Sequence, residues 1–172
     1  IKTSSMGDVI HTLPALTDAK NAMPDLIFDW VVEKDFAQIP KWHPAVNHVI
    51  EIEFRKWRKT PWKSTYEGKW KNLYQLLREE KYDYVVDAQG LIKSALLCFF
   101  ARGKRVGFDR DSAREPLAAF KKKKKIAVQK DIHAVIRLRQ LFSKIFSYPC
   151  PTGLPDYEIT KNFYRQNKFP LQ

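Results

Sequence analysis

Short runs rich in β-branched and aromatic residues alternate along this chain with segments whose apolar residues recur every three or four positions. That alternation commits the chain to βα units around a parallel sheet, since parallel neighbours can be joined only by a crossover, usually a helix. Residues 1–3 read as the tail of a first strand, and 27–32, 46–52, 82–87 and 105–108 as four more. Between them 13–23, 70–80 and 91–101 carry helical spacing, as in Trp70, Leu73, Leu76 and Leu77. Residues 131–146 form the longest such pattern, with Val135, Leu138, Leu141, Phe142 and Ile145 on one stripe, and Pro149, Pro151 and Pro155 stop it. The expected fold class is α/β, a doubly wound parallel sheet with helices on both faces.

In such a sheet ligands bind outside the carboxyl ends of the strands. The first of these junctions is Lys2-Thr3-Ser4-Ser5-Met6-Gly7-Asp8-Val9, leading into the helical pattern that follows. Gly7 lets backbone approach a ligand closely or take positive φ. Asp8 is either a proton acceptor at a reacting centre or simply the cap of the helix, the commonest work of an aspartate there. A second junction, Asp87-Ala88-Gln89-Gly90 followed by Lys93, ends another strand and opens another helix. It is either a tight turn capped by Asp87 or an anion site at a helix amino terminus.

At 172 residues the chain suits one domain that buries roughly 70% of its unfolded surface. Its 31 Lys and Arg against 19 Asp and Glu give a net charge of +12, which attracts phosphates, nucleic acid or anionic lipid without choosing among them. Cys98 and Cys150 lack metal-ligand spacing and fit a reduced compartment. The longest apolar run, 95–101, is too short to cross a bilayer. Only three residues precede the first loop, where a strand usually has about five, so the chain reads as a piece of a larger protein.

Six ordered segments point to a family. KTSSMGDVIHTLPALTD (2–18), FDWVVEKDFAQIP (28–40), FRKWRK (54–59), DAQGLIKSA (87–95), SAREPLA (112–118) and His133-Ala134-Val135 with Arg137 and Arg139 together resemble the bacterial lipopolysaccharide heptosyltransferases of glycosyltransferase family 9. The likeness is greatest to the branch that adds the first heptose to the inner core. It implies a GT-B enzyme of two Rossmann-like halves, of which residues 1–155 would be the amino-terminal, acceptor-binding domain. Residues 156–172 would lead towards a donor-binding domain that this sequence does not contain.

The resemblance implies an inverting transfer from ADP-heptose in which Asp8 is the general base and Ser4, Ser5 and Gly7 surround the reacting centre. It implies Kdo2-lipid A as acceptor, whose phosphates and carboxylates suit the basic cluster Arg55, Lys56, Trp57, Arg58 and Lys59. Trp57, Trp62 and Tyr66 would rest at a membrane surface or a sugar face, and the alternative is a solvated basic loop. Gln89, Gly90 and Lys93 would edge the acceptor site. Arg114, His133, Arg137 and Arg139 are further candidates, although Arg137 and Arg139, two apart on a helix, diverge by about 200°. Asp109-Arg110-Asp111 is the one Asp-x-Asp pair in a suitable loop, and loops often carry such pairs for turn chemistry, so no catalytic metal or other cofactor is expected. The protein would be cytoplasmic, peripheral on the anionic inner face of the inner membrane. Residues 121–125, five consecutive lysines, read as a mobile loop or a membrane tether. The contrasting possibilities are another heptosyltransferase step and a basic nucleic-acid-binding domain, the latter without a helix-turn-helix, zinc or RNP-type signature.

Overall fold

The computed structural model describes residues 1–59, 68–120 and 122–159, without the side chains of Arg58 and Lys59. Five strands are formed among the described residues: β1 (Phe28–Glu33), β2 (Val46–Ile52), β3 (Lys81–Asp87), β4 (Arg102–Phe108) and β5 (Lys124–Ile126). β1 pairs with β2, and β3, β4 and β5 pair in that order, all in parallel.

The amino-terminal segment joins these two sheets. On one side Lys2 N–H donates to the Val31 carbonyl (3.3 Å) and Glu33 N–H to that of Thr3 (3.0 Å). On the other, Ile1 N donates to the Val86 carbonyl (2.6 Å) and Ala88 N–H to that of Ile1 (3.2 Å). The continuous order is therefore β2, β1, the amino-terminal segment, β3, β4, β5. With that segment counted as the first strand, this is the Rossmann order, whose reversal point lies between the first strand and β3.

Seven helices are described: α1 (Met6–Ile10), α2 (Leu13–Ala22), α3 (Gln38–Lys41), α4 (Phe54–Lys59), α5 (Lys69–Glu79), α6 (Ile92–Phe100) and α7 (Ala134–Phe146). Successive strand residues point to opposite faces, and two cores result. Trp30 and Val32 join Leu13, Leu16, Val106, Phe108, Leu138, Leu141 and Ile145 on the face of α2 and α7. Val31 joins Ile52, Val85, Leu73, Leu77 and Leu97 on the face of α5 and α6. All five residues of the stripe expected on α7 are buried. Among the described residues no helix is long and apolar enough to cross a membrane.

The structure departs from expectation in three places. Leu76 lies outside the core at 38% exposure, because the buried stripe of α5 is Leu73 and Leu77. β4 begins at Arg102, where Arg102, Gly103 and Lys104 extend the pairing with β3 although all three are exposed. The lysine run is not a free loop over 122–125. Lys122 is buried against Asp87 at 2.9 Å, and Lys124 opens β5 and donates to the Lys144 and Ile145 carbonyls at the end of α7, each at 3.0 Å. A short lysine-bearing edge strand resists pairing with other chains, and composition alone does not reveal it. Lys121 lies outside the described residues.

His43 ties α2 to the turn before β2. Its Nδ1 accepts from Ala45 N–H (3.2 Å), which leaves the proton on Nε2, 3.0 Å from Thr17 Oγ1. Burial pulls its pKa down to about 4, against the opposing charge of Asp156. The folded chain therefore resists a proton that the unfolded chain takes up near pH 6.5. Stability must fall as pH drops from about 6.5 to about 4, by on the order of 3 kcal/mol in all. Urea midpoints measured across this range are expected to fall steeply in the wild type and less steeply in His43→Gln, which keeps an amide donor and acceptor but does not titrate. Equal slopes would remove His43 as the cause.

Candidate active site

Four chain segments converge at the carboxyl edge of the sheet around its reversal point. They are the loop after the amino-terminal segment, residues 88–90 after β3, residues 109–115 after β4, and the start of α7. Asp8 lies in the first. Its carboxylate receives a two-pronged bond from Arg114, with Nη2 2.8 Å from Oδ1 and Nη1 3.2 Å from Oδ2. Lys2 Nζ stands 3.4 Å from Oδ1, and Ser5 N–H donates to Oδ2 at 3.3 Å. The carboxylate thus also caps the short helix α1, so its capping role and its charged partners coexist.

Burial alone would push the Asp8 carboxyl up, but Lys2, Arg114 and the Ser5 N–H together hold it below the usual carboxylate range. Burial pulls the Lys2 ammonium down to about 8, against the attraction of Asp8. Sequence reasoning leaves Lys2 out of the site. The available signal was a lysine in the tail of a buried strand, which has to be paired, with Asp8 the nearest carboxylate along the chain.

Gln89 holds the first loop to the second. Its Oε1 accepts from Thr3 N–H (2.7 Å), Thr3 Oγ1 (3.0 Å) and Ser4 N–H (3.4 Å), and its Nε2 donates to the Ser4 carbonyl. Lys93, in the first turn of α6, reaches Ser4 Oγ at 3.1 Å. Asp87 shapes the turn between them, since its Oδ1 accepts from Gln89 N–H (3.1 Å) and Gly90 N–H (2.9 Å). Gly90 is required there. It sits at φ +71°, with Arg114 N 3.3 Å from where a Cβ would be. The amino end of α6 is already met by a protein anion, as Glu115 Oε2 accepts from Ile92 N–H at 2.6 Å. Gly7, by contrast, has no positive φ, and a Cβ there would meet nothing within 4 Å.

Arg137 also reaches the site. Its guanidinium lies 4.3 Å from the Phe108 ring centroid and donates to the Ser112 carbonyl. Burial pulls its pKa down, Arg114 adds to this, and Asp8 opposes it. Arg139 does not join it, because the predicted divergence sends it to Asp18 (2.6 Å) and to the Gly153 carbonyl (2.8 Å). His133 caps α7 by accepting from Val135 N–H (3.3 Å), and its ring lies 5.5 Å from that of His11. Asp109 serves its own turn, accepting from Ser112 N–H at 2.8 Å.

The basic cluster divides. Trp57 is buried against Trp70 and Phe54, with ring centroids 5.2 and 6.4 Å away, so it belongs to the core and not to a membrane or sugar surface. Lys56 pairs with Glu53 at 2.6 Å, and Arg55 packs 5.3 Å from the Phe36 ring centroid. The side chains of Arg58 and Lys59, together with Trp62 and Tyr66, lie outside the described residues. Glu33, at the carboxyl end of β1, escaped sequence reasoning. It is buried, its carboxyl is pushed up by burial against the pull of Lys93 and Arg55, and its Oε1 has no hydrogen-bond partner among the described residues.

Known proteins resemble this chain in sequence and in fold. Residues 70–172 match the model of glycosyltransferase family 9 (heptosyltransferase). The chain is 51% identical over 162 residues to lipopolysaccharide heptosyltransferase 1 of Pseudomonas aeruginosa, covering 94% of this chain and 46% of that protein. It is 49% identical over 164 residues to lipopolysaccharide heptosyltransferase 1 of Escherichia coli K12, covering 95% and 51%. The solved E. coli heptosyltransferase WaaC with ADP-2-deoxy-2-fluoro heptose superimposes with a TM-score of 0.91 at 48% identity, over 95% of this chain and 52% of that one. The chain thus spans about half the length of these relatives.

Gln89 supplies the test of the scaffold. Gln89→Leu keeps the volume but strips Thr3 N–H, Thr3 Oγ1 and the Ser4 carbonyl of their partner, and each buried orphan costs ~1 to 3 kcal/mol. Thermal unfolding should show a loss of roughly 2 to 4 kcal/mol. A loss below about half a kilocalorie per mole would mean that the loop is held elsewhere.

Proposed function

Because the chain belongs to glycosyltransferase family 9, the heptosyltransferases, we propose that the protein transfers heptose from ADP-heptose to a Kdo hydroxyl of Kdo2-lipid A, with this chain supplying the acceptor half and Asp8 the base. The observation that carries the reading is the position of Asp8, a largely buried carboxylate at the sheet's reversal point. The donor is taken over from the E. coli relative solved with an ADP-heptose analogue.

In the proposed reaction the acceptor oxygen attacks the anomeric carbon from the face opposite the diphosphate. The new C–O bond forms as the bond to ADP breaks, the configuration inverts, and the hydroxyl proton passes to an Asp8 oxygen. Through an oxocarbenium-like transition state, as in glycoside hydrolysis, the hydroxyl becomes acidic only as its bond to carbon forms. A carboxylate of low proton affinity therefore suffices. Ser4 and Ser5 line the same loop, and Arg114, Arg137 and Lys93 supply positive charge for the phosphates and carboxylates of the acceptor. Arg55, with Arg58 and Lys59 beyond it, would draw the acceptor in at the neighbouring edge. The donor diphosphate would be held by a part of the protein outside this sequence. The enzyme would work from the cytoplasmic face of the inner membrane, drawn there by its net charge of +12. Nucleic acid is the weaker reading, because Lys20, Lys122, Lys124 and Lys144 spend their ammonium groups on backbone carbonyls of this chain.

In the full-length protein Asp8→Asn should lower heptose turnover by ~10² or more while ADP-heptose affinity, read by titration, stays within a few-fold. Turnover within about tenfold of wild type would remove Asp8 from the base role. Gly7→Ala separates fold from function. An alanine in α1 has room and gains helix propensity, so the melting temperature should hold or rise, yet on the proposed reading, in which Gly7 borders the reacting centre, transfer should slow. Unchanged transfer would show that Gly7 is not a contact surface.

A further inference from the structure

The Asp8 carboxylate is fully engaged. Oδ1 faces Arg114 and Lys2, and Oδ2 faces Arg114 and the Ser5 N–H, so neither oxygen is left for an acceptor hydroxyl. Low proton affinity alone would not stop such a base, but a hydroxyl that cannot reach either oxygen has nowhere to pass its proton. The three partners behind these four contacts differ in their ability to leave. Ser5 N–H is main chain, while Lys2 is 5% exposed and also bonded to the Ala88 carbonyl (3.3 Å). Arg114 is different: its side chain is 43% exposed, it projects from the loop after β4, and among the described residues its guanidinium hydrogen bonds all go to Asp8.

We propose that Arg114 is a positioning residue that latches the base: an anionic group of the acceptor, a carboxylate or a phosphate, draws its guanidinium off Asp8 and so uncovers the carboxylate only when the acceptor is seated. This rests on the reading of Asp8 as base. The exchange is balanced in charge, because Arg114 trades one carboxylate for another anion of the same fork geometry. Asp8 keeps Lys2 and the Ser5 N–H, which hold its position while one oxygen turns to the hydroxyl. The charged groups around the pair are Lys2 from the amino-terminal segment and Arg137 from α7, whose charge acts on both partners. His11 and His133 meet between α1 and α7. The latch also separates donor from acceptor binding in time: with the acceptor absent, the covered carboxylate is a poor base for activating water against bound donor.

The test compares acid limbs in the full-length protein. The second-order rate at low acceptor reports Asp8 before the acceptor binds, and the single-turnover rate with both substrates saturating reports it afterwards. In the wild type the saturated limb should lie ~1 to 3 pH units above the second-order limb, the usual effect of an adjacent arginine on an aspartate. In Arg114→Gln the two limbs should coincide, and Arg114→Lys, which cannot fork both oxygens, should give a smaller separation than wild type. Coincident limbs in the wild type, or an undiminished separation in Arg114→Gln, would overturn the latch while leaving Asp8 as base. Failure of the base itself is distinguishable, because Asp8→Asn would then retain turnover. Two acceptor analogues identify the anion, one with its carboxylates converted to amides and one without phosphates. The analogue that abolishes the separation lacks the group that releases the latch, and a separation that survives both changes made together would also overturn it.

Discussion

The hydrogen bonding of the amino-terminal segment to β1 on one side and β3 on the other is the constraint on which the molecule rests. Without those four main-chain bonds the strands form two separate sheets, and with them a single sheet of Rossmann order. Each bond contributes only ~0.5 to 1.5 kcal/mol net, but Gln89 adds its own contacts to Thr3 and Ser4 at the same seam. The same residues then turn out of the sheet and carry Asp8. Site and scaffold are therefore one structure, and a change that loosens the seam moves the carboxylate with it.

The net charge of +12 does not say how its individual cations are used. Lys2, Lys122 and Arg139 are buried in ion pairs with Asp8, Asp87 and Asp18. Lys124 and Lys144 lie against carbonyls, with Lys124 meeting the negative end of the α7 dipole. Removing one partner from such a pair leaves an unpaired buried charge, which is far costlier than losing a surface contact. These lysines and arginines act as internal fasteners, so the cations available to an acidic ligand are fewer than composition suggests. At the Asp8 edge of the sheet the Arg114 charge bears on Arg137.

Local pattern carried most of the fold. The alternation of periods placed β1 to β4 and the long helices to within a few residues, because each buries one face against the sheet and its spacing records that face. Pairing between distant residues left no such trace. Nothing near Gln89 reports that its amide meets Ser4, 85 residues away, and nothing near Lys122 reports Asp87. Trp57 shows the converse: the flanking lysines and arginines dominate its local reading, while the aromatic cluster that buries it includes Trp70, on a helix reached only after a long connection. β5 was illegible because its three residues form a strand only through β4. At the site, Asp8, Ser4, Lys93 and Arg114 were nameable from motif, but the Arg114 to Asp8 bond, across 106 residues, was not.

The capping contact of Asp8 and its charged partners do not exclude one another, and their coexistence has a physical point. A carboxylate that only capped α1 would need no buried lysine beside it, since an exposed cap is satisfied by one N–H and water. A carboxylate that only served chemistry would be free to rotate and would lose alignment at each turn. Here Ser5 N–H fixes the orientation, Lys2 fixes the charge state, and Arg114 occupies what remains. Gly7, next to Asp8, is under no such constraint: its backbone needs no glycine and its neighbours leave room for a side chain, so the fold itself places no demand for glycine beside the carboxylate.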